Sequence, residues 1–207
     1  MRNTIITALL VATSISLTAC DSVSSNEEPL EPLETVLVEN LAADPAERNP
    51  ATGEALERTG RYTLFSLRDN EIVLSYSEPN RADSASTSWD IGFRGTSIIA
   101  NGGTSGPGDG GVQLLEGVFE EIDLAPTSGY EAANSSWYSY DMNTHVISPT
   151  PGRVLAVRTA DGRYAKIRIL SYYEDAPDNP TLRDPTEYYT FEYIYQPDGS
   201  TDFSVAE

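Results

Sequence analysis

"RVLAVRTADGRYAKIRILSYY", residues 153–173, decides the fold class. Two runs of alternating apolar and polar residues, rich in β-branched and aromatic types, flank Ala160-Asp161-Gly162-Arg163. Asp-Gly between such runs predicts a β-hairpin closed by a type I′ turn. The same texture extends outward in both directions. "RYTLFSL" (61–67), "EIVLSYS" (71–77), "SWDIGFR" (88–94) and "TSIIA" (96–100) are short β-prone runs bounded by Asn, Pro, Asp and Gly. "EYYTFEYIYQP" (187–197) places Tyr189, Phe191, Tyr193 and Tyr195 on one strand face. No window of twelve or more residues carries a persuasive helical period, so the expectation is one all-β, antiparallel domain of sandwich type.

The chain ends differ from this texture. "MRNTIITALLVATSISLTAC" (1–20) has one positive charge, an apolar stretch and small residues before a cysteine, the build of a secretory signal. Leu17-Thr18-Ala19-Cys20 matches the bacterial lipobox, so residues 1–19 read as a lipoprotein signal peptide and Cys20 as the lipidated residue. Cys20 is the single cysteine of 207 residues, which excludes a disulfide framework, a thiolate zinc site and an iron–sulfur cluster. Residues 20–57 carry many acids and several prolines without an aromatic, and read as a flexible tether, with a short helix over 33–43 left open. The β domain is then expected over 58–207.

Charge and residue stock narrow the function. The formal net charge is −19, and Lys166 is the only lysine. A surface this acidic repels phosphate backbones, which argues against nucleic-acid binding. The glycine run "NGGTSGPGDGG" (101–111) contains G-x-G-x-x-G at Gly106, Gly108 and Gly111. Pro107 sits inside it and no helical segment follows, so it reads as a tight backbone loop rather than a pyrophosphate cradle. With one histidine and no G-x-S-x-G elbow, the sequence carries no recognisable catalytic constellation, and a non-enzyme is expected. The acids Asp175, Asp178 and Asp184 match no EF-hand-like spacing. Twelve tyrosines, five phenylalanines and two tryptophans are the other stock. The tyrosine strand either lines a flat apolar cleft or divides between core and surface.

Three blocks carry a resemblance: "SWDIGFRGTSIIANGGTSGPGDGG" (88–111), "YSYDMNTHVISPTPGRVLAVRTADGRYAKIRILSYY" (138–173) and "YYTFEYIYQPDGS" (188–200). In this order they resemble the HmuY family, haem-binding lipoproteins of the Bacteroidetes and related bacteria. The resemblance implies a hand-like all-β fold, outer-membrane anchoring through Cys20, and haem or a related tetrapyrrole passed to a TonB-dependent receptor. It implies His145 and Met142 as haem-iron ligands, of which at most one serves. Three residues apart on an extended segment, they cannot take opposite sides of a porphyrin, so a tyrosine or an open sixth position completes the set. Tyr140, Tyr189 and Tyr193 are the expected pocket aromatics. The alternatives are a lipoprotein of this fold that takes a glycan, peptide or other apolar ligand on its aromatic strand, and a transporter subunit without a ligand of its own.

Overall fold

A computed structural model describes residues 33–47, 51–52, 54 and 56–204, all within one compact unit spanning Glu31–Glu207. Cys20 and the expected signal segment lie outside the described residues. Two antiparallel sheets build the domain. The first runs in the order β1 (Thr35–Ala42), β12 (Thr186–Gln196), β11 (Tyr164–Tyr173), β10 (Arg153–Arg158), β6 (Gly111–Glu116). The second runs β3 (Glu71–Leu74), β2 (Thr63–Ser66), β4 (Ile91–Arg94), β5 (Ser97–Ala100), β7 (Ala133–Asn134). A separate ribbon pairs β8 (Tyr138–Tyr140) with β9 (Ile147–Pro149).

The sheets face each other across one shared core. Phe65, Ile91, Phe93 and Ile98 from the second sheet meet Leu155, Ile167, Tyr189, Phe191 and Tyr193 from the first. Alternation along β12 aims Tyr189, Phe191 and Tyr193 at the opposite sheet, as the period-2 pattern requires. Phe93 stacks on Phe191 at 5.3 Å, and Phe65 meets the same ring edge-on at 5.8 Å. Such paired rings add roughly 0.5–1.5 kcal/mol each beyond the area they bury. All four residues of β2 are buried, because its outer face is covered too: Leu64 packs with Leu74 and Trp89 in a satellite cluster.

Two segments depart from expectation. Residues 35–42 are neither tether nor helix but an edge strand, with Val36 opposite Tyr193 and Val38 opposite Phe191. Val36 and Val38 alternate inward onto the core, a short β pattern hidden among acids and prolines. The domain therefore begins before Thr35 rather than at 58. The hairpin between β10 and β11 is present, but Asp161 does not take the positive φ that a type I′ turn demands; only Gly162 does, at 83°. Thr159 donates its N–H to the Arg163 carbonyl at 2.8 Å, which makes a three-residue loop with glycine in the left-handed position.

The glycine run folds around one buried side chain. Asn101 donates its amide to the carbonyls of Ser86 (2.9 Å) and Trp89 (2.7 Å) and accepts from the Gly108 N–H at 3.1 Å. A Cβ at Gly106 would stand 2.1 Å from Asn101 Oδ1, and one at Gly102 would stand 2.1 Å from the Gly110 carbonyl. Backbone packed this close around an amide leaves no room for side chains. That is a structural role, distant in kind from phosphate binding.

Candidate functional site

The β8–β9 ribbon ends in a tip, residues 141–146, whose shape one carboxylate sets. Asp141 Oδ1 accepts the N–H of Asn143 (2.7 Å) and of Thr144 (3.3 Å), while its carbonyl accepts the His145 N–H at 2.7 Å. Those backbone N–H groups, Asn143 first, hold the Asp141 carboxyl below its ordinary value. The turn closes only because His145 takes a φ of 59°, a conformation open to few residues besides glycine, asparagine, aspartate and histidine. Ile147, just past the tip, is tied to the body of the domain by its N–H bond to the Tyr173 hydroxyl at 2.9 Å.

This turn presents the two side chains expected to ligate iron. Met142 is 80% exposed. The Tyr140 hydroxyl lies 2.5 Å from His145 Nδ1, so Nδ1 is engaged and Nε2 is the ring nitrogen with no hydrogen bond among the described residues. The expectation that both residues share an extended segment is corrected: they belong to one tight turn closed between Asp141 and His145. Tyr140 is half exposed and belongs to this tip.

Tyr189 and Tyr193 do not belong to it. They are 0% and 1% exposed, inside the inter-sheet core, and their hydroxyls donate to the carbonyls of Gly95 (2.7 Å) and Leu67 (2.9 Å). Burial pushes the Tyr193 hydroxyl up to about 12 and Tyr189 well above its ordinary value. Tyr189 and Tyr193 are therefore core rings, not the wall of an open pocket. A strand with a sheet on either side spends its aromatic face on the core, and the buried phenols find backbone acceptors.

Sequence reasoning missed the other wall of the site. A groove of about 490 Å³ separates Asn143, Thr144 and Val146 of the tip from Pro180, Thr181, Leu182 and Arg183 in the loop between β11 and β12. Asp184 Oδ2 accepts the Thr181 N–H (2.7 Å) and hydroxyl (2.8 Å), which fixes that loop. Leu182 is 69% exposed, a large aliphatic group turned to the groove and solvent. Arg183 differs from every other described arginine: its guanidinium makes neither an ion pair nor a hydrogen bond among the described residues. In a chain of net charge −19, an unpaired guanidinium beside exposed apolar groups is suited to an anionic, partly apolar ligand. The stretch "DNPTLRDP" (178–185) had signalled only acidity, and nothing in its pattern reveals that its Leu and Arg face the tip.

The groove's apolar wall and the Arg183 guanidinium could hold a flat ligand carrying carboxylates, and His145 and Met142 lie on the adjoining turn without lining the groove. Among the described residues, no group of three His, Cys, Asp or Glu side chains is placed to hold a bare metal ion.

No family model matches the chain, and no curated protein matches it. Solved structures do. The apo HmuY analog of Tannerella forsythia is 14% identical with a TM-score of 0.44, covering 80% of this chain and 96% of that one. A Bacteroides vulgatus protein named as HmuY-like and haem-binding is 15% identical at a TM-score of 0.48, with coverages of 80% and 92%. A Bacteroides fragilis protein named as a lipoprotein is 16% identical at 0.41, with coverages of 81% and 94%. The likeness is to the HmuY-like fold. The architecture itself is all-β and antiparallel.

Proposed function

We propose that the protein is a lipid-anchored haem-binding protein that takes haem, or a related tetrapyrrole, in the groove between the β8–β9 tip and the β11–β12 loop. The observation that carries this reading is the His145 ring, engaged at Nδ1 by Tyr140, on the same turn whose Asn143, Thr144 and Val146 line an apolar groove that also holds Arg183. His145 Nε2 would ligate the iron, and Met142, on the same tight turn, would pack beside the porphyrin rather than serve as a second ligand. Leu182, Pro180 and Val146 would cover a porphyrin face, and Arg183 would pair with a carboxylate. Cys20 would carry the lipid anchor at the outer membrane, and a TonB-dependent receptor would take the haem onward for iron acquisition. No described helix is long and apolar enough to cross a membrane, which is compatible with attachment by lipid alone. The alternative of a glycan, peptide or other apolar ligand on the aromatic strand loses Tyr189 and Tyr193 as contact surface, because both rings are buried.

The test is a hemin titration of the protein under oxidising and reducing conditions. Saturable binding with a Soret shift is expected, lost in His145→Asn and weakened in Met142→Ala. Asparagine tolerates the backbone conformation at 145 but does not ligate haem. An unchanged spectrum, or binding that survives loss of both side chains, overturns the assignment.

A further inference from the structure

Strands β1 and β3 are the outer strands of the two sheets, each hydrogen-bonded on one side only among the described residues. They lie next to each other. A cavity of about 370 Å³ opens between them, floored by Leu41 and Phe65 and rimmed by Leu37, Glu39, Glu71 and Ile72. Leu37 and Ile72 are large aliphatic groups exposed at 52% and 50%. A free edge offers a row of unpaired N–H and C=O groups, and proteins usually blunt such rows with bulges or charge. Here the pairing register slips between Val38 and Leu41, so the regular free edge is Thr35–Val38, bounded by Glu34 and Glu39.

The charges at that edge choose its partner. If a second copy paired antiparallel along Thr35–Val38, Glu34 of each copy would fall opposite Glu39 of the other, and like charges directly opposite are destabilising. No lysine or arginine lines the groove. We propose that this double edge docks an extended, cationic segment of a partner protein, added antiparallel to Thr35–Val38. One of its apolar side chains would sit between Leu37 and Ile72, and its flanking Lys or Arg residues would meet Glu34, Glu39 and Glu71. Main-chain bonds would supply affinity, and the apolar slot and carboxylates would supply selectivity. The surface shares no residue with the hairpin-tip groove, so it stands whether or not haem binds there.

The experiment titrates the whole chain with the peptide Ala-Lys-Val-Lys-Val-Lys-Ala and with its twin carrying Glu for Lys, read by NMR amide shifts. Saturable binding of the lysine peptide is expected, with the largest shifts at Thr35–Val38. Its affinity should fall about tenfold or more in the Leu37→Lys, Ile72→Lys double variant and at about 0.5 M salt. Both substitutions are at exposed positions, and an unchanged circular-dichroism melt verifies the fold. Four results overturn the proposal: no binding of either peptide, equal binding of both, undiminished binding in the variant, or a sedimenting dimer of the chain that the double variant dissolves.

Discussion

The inter-sheet core and the β8–β9 tip use the same residue types to opposite ends. In the core, Phe93, Tyr189, Phe191 and Tyr193 are buried ring against ring, and each phenol is matched to a backbone carbonyl. At the tip, Tyr140 is half exposed and its hydroxyl faces an imidazole nitrogen, with Met142 and Leu182 bare to solvent nearby. Tyrosine content therefore says little about function. The partner of the hydroxyl does: a carbonyl closes a core, whereas a titratable ring nitrogen leaves chemistry available. The two regions should respond differently to substitution.

The largest effect is expected in the core. Phe191 is fully buried and contacts the rings of Phe65, Phe93 and Tyr193. Phe191→Ala should cost about 3–5 kcal/mol of stability. Whatever fraction stays folded should titrate with hemin as the parent does. If hemin affinity falls in proportion to stability, the two regions are not separable. Asn101→Ala comes next, at roughly 2–3 kcal/mol. It strips the carbonyls of Ser86 and Trp89 and the Gly108 N–H of their partner in a fully buried place. Thermal melts give both numbers.

Acid should act on the two regions with opposite sign. Glu187, nearly buried beside Tyr172 and paired with Arg58 at 2.5 Å, has its carboxyl raised above 4.5, chiefly by burial. The folded state then holds that proton more tightly than the unfolded chain does. Its contribution to stability is therefore lost as pH rises from 4.5 through the raised value. Glu187→Gln should flatten that decline in Tm. Asp90, also raised by burial, keeps part of the slope in place. Asp141 is lowered by the N–H groups it accepts, so its support of the tip is present above 3.8 and fades as pH falls below it. Faster hydrogen exchange at Asn143 and Thr144 on acidification, without a matching change in the core, is the signature of this contrast.

Much of the core could be read from sequence, because alternation and aromatic density are what a two-sheet interior requires. "RVLAVRTADGRYAKIRILSYY" and "EYYTFEYIYQP" name β10, β11 and β12 almost to the residue. Edge strand β1 escaped because its two inward valines are too few to outweigh the acids and prolines around them. At the tip, His145, Met142 and Tyr140 were legible as chemically unusual residues, being the chain's single histidine, its one methionine besides Met1, and a neighbouring phenol. Arg183 and Leu182 were not. They matter only because the β11–β12 loop folds back toward the tip, a long-range placement that leaves no local periodicity.

The smallest structural change makes the most specific test. Tyr140→Phe removes one hydroxyl at a half-exposed position, so its effect on stability should stay within about 0.5 kcal/mol. That hydroxyl faces His145 Nδ1, and a partner on the far nitrogen of a ligating imidazole fixes its orientation and basicity. Loss of such a partner typically weakens metal binding about 10–100-fold, and at this exposed site the lower end is expected. The Soret position of the saturated protein should be retained, since the ligand itself stays. A drop in affinity with an unshifted Soret band assigns Tyr140 to orienting the ring. An unchanged affinity would separate the tyrosine–histidine contact from binding and reduce it to a feature of the turn.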